Sequence, residues 1–171
     1  MVRLSEIEAE IEKAFKKTVK DYKNGDIKIE EDFRAHLHNH LKPFCDSRGL
    51  GMRLSRGVKL RNETVKPDIL IYRGRRDFVV IEMKNKNSTL GGGNYDINKL
   101  KRYQQKYQKK CLRGYFIHID KKDNRYKKHH RCKSPAAWKN NYFVDLWCVL
   151  DKYTIHKFEV KRGSGTEKII R

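Results

Sequence analysis

No apolar run in this chain approaches the roughly 20 residues that a helix needs to cross a bilayer. Nothing at its start has the charged, apolar and small-residue order of a secretory signal. These absences set an intracellular protein with no membrane partner as the expectation. Cysteine is sparse and scattered. Cys45, Cys111, Cys132 and Cys148 form no CxxC pair, which argues for free thiols in a reducing compartment and against a disulfide framework. The glycine run Gly91-Gly92-Gly93 lacks the GK[ST] ending of a phosphate-binding loop and does not follow GxGxxG spacing. Nucleotide binding of either kind is therefore not expected. No internal repeat and no second domain is visible.

Acidic residues are also few. The 171 residues hold 21 Asp+Glu against 41 Lys+Arg, a net charge of +20. The excess is uneven, with 20 basic against 15 acidic residues up to residue 98 and 21 against 6 after it. A surface this basic attracts a polyanion, most often nucleic acid, by phosphate contacts and counterion release. With 37% apolar residues and recurring apolar runs, the composition still supports one domain with a real core.

The most informative stretch is Lys66 to Asn85, KPDILIYRGRRDFVVIEMKN. Its two short apolar runs, 69–72 and 78–81, are split by the polar turn Arg73–Asp77 and read as a β-hairpin. Asp68 opens the first strand; Glu82 and Lys84 close the second. Side chains alternate faces along a strand, so Glu82 and Lys84 share one face and Met83 takes the other. Antiparallel pairing brings Asp68 beside them. Two carboxylates suit a hard divalent cation such as Mg2+ or Mn2+. A lysine there can hold an attacking water or offset charge on a phosphate.

This constellation resembles the PD-(D/E)XK nuclease superfamily, with Pro67-Asp68 in place of the PD element and Glu82-Met83-Lys84 in place of ExK. The resemblance implies an α/β, restriction-endonuclease-like core: helix, three-stranded meander, helix, strand. That core spans about residues 29–120, with extra strands at the C-terminal end. It implies Asp68, Glu82 and Lys84 as catalytic residues. Its metal ligands would be Glu30, Asp68, Glu82 and the Met83 carbonyl. Glu30 enters because many members carry a glutamate on the preceding helix in the pattern Glu, three residues, Arg, two residues, Leu. Glu30, Arg34 and Leu37 fit it, Glu31 is the reserve, and both acids also suit a helix N-terminus.

The chain in order supports this layout. Residues 5–20 read as a helix with Ser5 as N-cap, Glu8 completing a capping box, and a stripe of Ile7, Ile11, Ala14, Phe15 and Val19. Asn24-Gly25-Asp26 ends it. Residues 29–42 read as a second helix on Phe33, Leu37 and Leu41. There His36 and His40 share a face and could hold a metal, although a solvated or hydrogen-bonding role is the commoner one. Residues 43–50 read as a loop and 51–60 as a strand, with Arg53, Arg56 and Arg61 as phosphate contacts. The Gly91–Gly93 loop reads equally as a substrate-ordered loop or a plain linker. Residues 95–110 read as a helix with Ile97, Leu100, Tyr103 and Tyr107 inward. By the resemblance, Lys101, Tyr103 and Gln104 are candidates to reach a phosphate.

Residues 113–119 read as a strand beside the hairpin, carrying a packed His118. Residues 120–141 form a basic loop in which Lys127, Lys128 and Arg131 would contact nucleic acid, with Tyr126 and Trp138 interleaved. His129, His130 and Cys132 lack a fourth ligand for structural zinc. Residues 142–150 and 153–160 read as a C-terminal hairpin ending at about 161, followed by a polar tail. The leading functional expectation is a metal-dependent endodeoxyribonuclease, cytoplasmic or nucleoid-associated, acting on duplex or branched DNA. The family's small basic members include Holliday-junction resolvases and small restriction or mobile-element endonucleases. Resolvases work as dimers, which raises a homodimer as an expectation. The alternatives are a nucleic-acid-binding module with a relic site and an RNA-processing or ribosome-associated protein.

Overall fold

A computed structural model describes residues 2–55, 58–60, 63–85, 92–106, 113–120, 142–161 and 164–170. Helix α1, Leu4–Asn24, buries the predicted stripe and extends it to Thr18 and Tyr22. Ser5 does not cap it. The helix starts at Leu4 after Arg3, whose side chain makes no capping hydrogen bond. Gly25 ends it at φ +89°, while its N–H and that of Asp26 bond back to Tyr22 and Asp21 carbonyls.

Helix α2, Glu30–Ser47, starts where the Asp32 carboxylate accepts the backbone N–H groups of Lys28 and Ile29. The sequence places a loop at Pro43; instead the helix passes through it. The proline removes one backbone hydrogen bond, and interior prolines cost roughly 3 kcal/mol. Beyond it Cys45 is fully buried and Phe44 packs on the same core, which offsets the loss.

The expected strand 51–60 is two strands. β1 (Gly51–Leu54) stops at Ser55, whose φ of +43° breaks the extended run. β2 (Val58–Leu60) and β3 (Glu63–Val65) form a separate antiparallel ribbon. The hairpin itself is β4 (Ile69–Arg73) and β5 (Arg76–Lys84). Its turn is tighter than the sequence suggests. Arg73 pairs with Arg76, leaving Gly74 and Arg75 as the loop, with Gly74 at φ +58°. A bulge follows, because Ile71 pairs with Val79 and Tyr72 with Asp77, leaving Phe78 as the extra residue.

Helix α3 runs Gly92–Lys106, so Gly92 and Gly93 open a helix where the sequence suggests a loop. Residues 107–110 of the expected helix lie outside the described residues. β6 (Arg113–Asp120), β7 (Tyr142–Val149), β8 (Thr154–Lys161) and β9 (Ser164–Ile170) complete the sheet. β9 corrects the expected polar tail: it pairs along its whole length with β8.

The seven strands lie in the order β1-β4-β5-β6-β7-β8-β9. β5, β6 and β7 are parallel and the other pairs antiparallel, which makes an α/β fold with a mixed sheet. The elements α2, β1, β4, β5, α3 and β6 follow in chain order, with the β2-β3 ribbon inserted. Helices cover both faces. Val79, Ile81, Met83, Ile117 and Leu146 pack with α1 and α2; Leu70, Val80, Phe116 and Phe143 pack with Ile97, Leu100 and Tyr103 of α3. Alternation along β5 therefore sends Glu82 and Lys84 to the α3 side.

Two ion pairs pin α1 to the sheet. Arg113 Nε lies 2.7 Å from Glu8, and the buried Lys157 Nζ lies 2.7 Å from Glu12 and 2.9 Å from Glu159. Cys45 and Cys148 are free and buried, and burial pushes their thiols up to about 11 and about 12. Cys111 and Cys132 lie outside the described residues. Among the described residues no helix is long and apolar enough to cross a membrane.

Candidate active site

Ile69 pairs with Ile81, so Asp68 stands opposite Glu82. Both Asp68 oxygens are engaged. The Met83 backbone N–H donates to Oδ2 at 2.7 Å and Arg34 Nη1 to Oδ1 at 3.0 Å. Arg34 also donates to Ser55 Oγ at 3.1 Å, tying α2, the end of β1 and the head of β4 together. The Met83 side chain faces the opposite core, as alternation requires.

Glu82 is only 2% exposed and meets Lys99 of α3 at 2.6 Å. Burial pushes its carboxyl up to about 8; Lys99 pulls it down, and Asp68 and Asp96 push it further up. Asp96, one turn before Lys99, is pushed up to about 6, first by burial and then by Asp68 and Glu30, against Lys99 and Lys84. Lys84 lies 3.1 Å from Glu30 Oε2. Burial works against its charge, but the bond to Glu30 and the charges of Glu30, Asp96 and Asp68 raise it above the ordinary lysine value. The Asn85 N–H also donates to Glu30, at 3.3 Å. Glu31, the reserve, is exposed.

Four carboxylates, Glu30, Asp68, Glu82 and Asp96, thus feel one another at one end of the hairpin, with Lys84, Lys99 and Arg34 among them. Asp68, Glu82, Lys84 and Glu30 come together as the sequence suggests. Their ligand atoms are not drawn into one tight cluster, since each acid is held by a cation or an N–H. Among the described residues, three ligand-type atoms within 4.8 Å of one another occur at Asp21, His36 and His40.

No family model and no curated protein matches the chain. Among solved structures it is similar to the chain in a cryo-EM structure of a DrdV–DNA complex, with a TM-score of 0.44 and 15% identity. The match covers 98% of this chain but 12% of that one, so this chain spans a small part of that protein. A likeness at that level assigns no family and no activity here.

The remaining sequence candidates divide. Arg53 lies on the same sheet face as the acids, its guanidinium 4.2 Å from the Tyr72 ring centre. Lys101 is half-buried on α3. Tyr103 does not reach outward; it is buried in the core between α3 and the sheet. Arg56, Lys127, Lys128, Arg131, His129, His130 and Cys132 lie outside the described residues, as do the Gln104 side chain and Arg61. His118 is buried, 3.0 Å from Asp145 on the neighbouring strand.

Sequence reasoning missed Lys99 and Asp96. A signal was present: Asp96 is the one acid in the basic stretch 95–110, and each of the two directly precedes an inward apolar residue. Chemically, the arrangement gathers carboxylate oxygens, the donor type that hard cations prefer. It can also hold a proton on Glu82 or Asp96 near neutral pH, and it presents an ammonium beside them.

Proposed function

We propose that this chain has a restriction-endonuclease-like core of PD-(D/E)XK type and hydrolyses DNA phosphodiester bonds with a divalent cation. The observation that carries the reading is the hairpin register, which sets Asp68 against Glu82 with Lys84 two residues on, at one end of the sheet. The donor set fits Mg2+ or Mn2+. Its ligands are carboxylate oxygens, and two of the acids are driven towards neutrality by burial and mutual repulsion, which a hard cation would relieve.

Asp68 and Glu82 would hold the ion, with Glu30 and the Met83 carbonyl assisting. When bound, the ion supplies a water acidic enough to attack at neutral pH and neutralises charge on the phosphate. Lys84 orients the attacking water or offsets phosphate charge. Lys99 stands on Glu82 as a cation already in place and must give way or share that carboxylate. The net charge of +20 supports a polyanionic partner. Duplex or branched DNA is favoured by the resemblance to small endonucleases and resolvases, which also raises a homodimer.

The 2.6 Å Lys99–Glu82 pair favours a second reading, in which the protein neutralises its own buried acid and only binds nucleic acid. Plasmid and four-way-junction DNA, with and without Mg2+ or Mn2+, separate the two. The nuclease reading expects cation-dependent cleavage that falls on the order of 100-fold or more in Glu82→Ala and Lys84→Ala. Binding without cleavage under either cation would establish the second. An RNA competitor in the same assay tests the preference for DNA.

A further inference from the structure

The contact between α1 and α2 is not wholly apolar. Asp21 lies in the last turn of α1. His36 and His40, four residues apart, lie on one face of α2. His36 Nδ1 is 2.8 Å and His40 Nε2 is 2.6 Å from the same atom, Asp21 Oδ2. All three ligand-type atoms fall within 4.8 Å of one another. Leu37 and Leu41, each next to one of the histidines, are fully buried and fix that stretch of α2. The three side chains are 21, 32 and 26% exposed, so none of them is sealed in the core. Asp32, a turn before His36, adds a negative charge within electrostatic reach of it.

We propose that Asp21, His36 and His40 form a binding site for a zinc-class divalent cation that clamps α1 to α2. Two imidazoles and one carboxylate, with a water as the fourth ligand, make a donor set typical of zinc. Ligand arms of roughly 2.0–2.1 Å in a tetrahedron set the three atoms about 3.3 Å apart. The two nitrogen–oxygen separations, 2.8 and 2.6 Å, therefore each have to open by well under about 1 Å. The site is chemically distinct from the acid cluster at Asp68 and Glu82. Imidazole nitrogen selects zinc, cobalt, nickel or copper, whereas an all-oxygen set suits magnesium or manganese. The inference is independent of the nuclease reading, since it uses none of those residues.

The metal-free full chain is titrated with Co2+, a spectroscopic substitute, and then with Zn2+. The expected result is one equivalent of strongly absorbing four-coordinate Co2+, displaced by one equivalent of Zn2+. In His36→Gln and in His40→Gln the affinity falls on the order of 100-fold. A His129→Gln/His130→Gln variant retains binding. Histidine side-chain nitrogen spectra of the wild-type chain give a readout that needs no variant: Nδ1 of His36 and Nε2 of His40 shift on addition of Zn2+. Absence of the four-coordinate signal, its persistence in both single variants, or unshifted His36 and His40 nitrogens overturns the proposal.

Discussion

The Glu82 carboxyl makes stability depend on pH in a direction opposite to that of an ordinary ion-paired acid. Burial lifts it from the ordinary 4.5 to about 8 in the folded chain. Between those values the folded protein keeps a proton that the unfolded chain has released. Folding then takes up a proton, so stability falls as pH rises through the window and is flat below and above it. The slope is at most about 1.4 kcal/mol per pH unit. Lys99, 2.6 Å away, already moderates that rise, and the loss from pH 5 to 8 is on the order of 2–4 kcal/mol. The amide of a Glu82→Gln variant cannot titrate. Urea unfolding of both proteins across pH 5–9, free of divalent cations, should show the variant gaining on the wild type as pH rises. Asp96, pushed up to about 6, adds a similar slope to both proteins at lower pH, so the interval from 6 to 8 isolates Glu82. Mg2+ favours the ionised carboxylate and should recover stability near pH 8 in the wild type but not in the variant. Parallel curves for the two proteins between pH 6 and 8 would mean that Lys99 keeps Glu82 ionised throughout, and would refute the burial argument.

Two further outcomes follow from the packing. Lys157→Met leaves Glu12 and Glu159 facing one another without their shared ammonium and should cost on the order of 1–3 kcal/mol, read as a lowered urea midpoint; an unchanged midpoint would mean that the pair adds nothing to the docking of α1. Gly51→Ala puts a methyl group into the Tyr72 ring that lies across Gly51, displacing that ring and the Arg53 guanidinium stacked on it. A loss of about 1–3 kcal/mol is expected in thermal or urea unfolding, and wild-type stability would show that the ring moves aside freely.

Much of the architecture was legible because it is local. The runs 69–72 and 78–81 are β-branched, and a glycine sits between them where a tight turn needs positive φ. Alternation alone then assigns Glu82 and Lys84 to one face and Met83 to the other. The stripe of α1 and the Gly25 stop are equally local. Pro43, Ser55 and the 164–170 strand were not legible, because each runs against its own local preference. Phe44 and Cys45 find a core beyond the proline, and a Ser-Gly-Thr-Glu-Lys segment becomes a strand because β8 offers it a free edge.

The candidate site divides in the same way. Residue type and alternation within one ribbon pointed to Asp68 meeting Glu82 with Lys84 nearby; the two-residue turn alone would set Asp68 against Ile81, and the bulge at Phe78 restores the register that puts it opposite Glu82. Tertiary structure alone decided that Glu82 is buried, that Lys99 and Asp96 come down on it from α3, that Arg34 locks Asp68, and that Asp21 closes on two histidines of the next helix. Those contacts join segments that no local preference links, and the docking of whole helices on the sheet and on each other sets them.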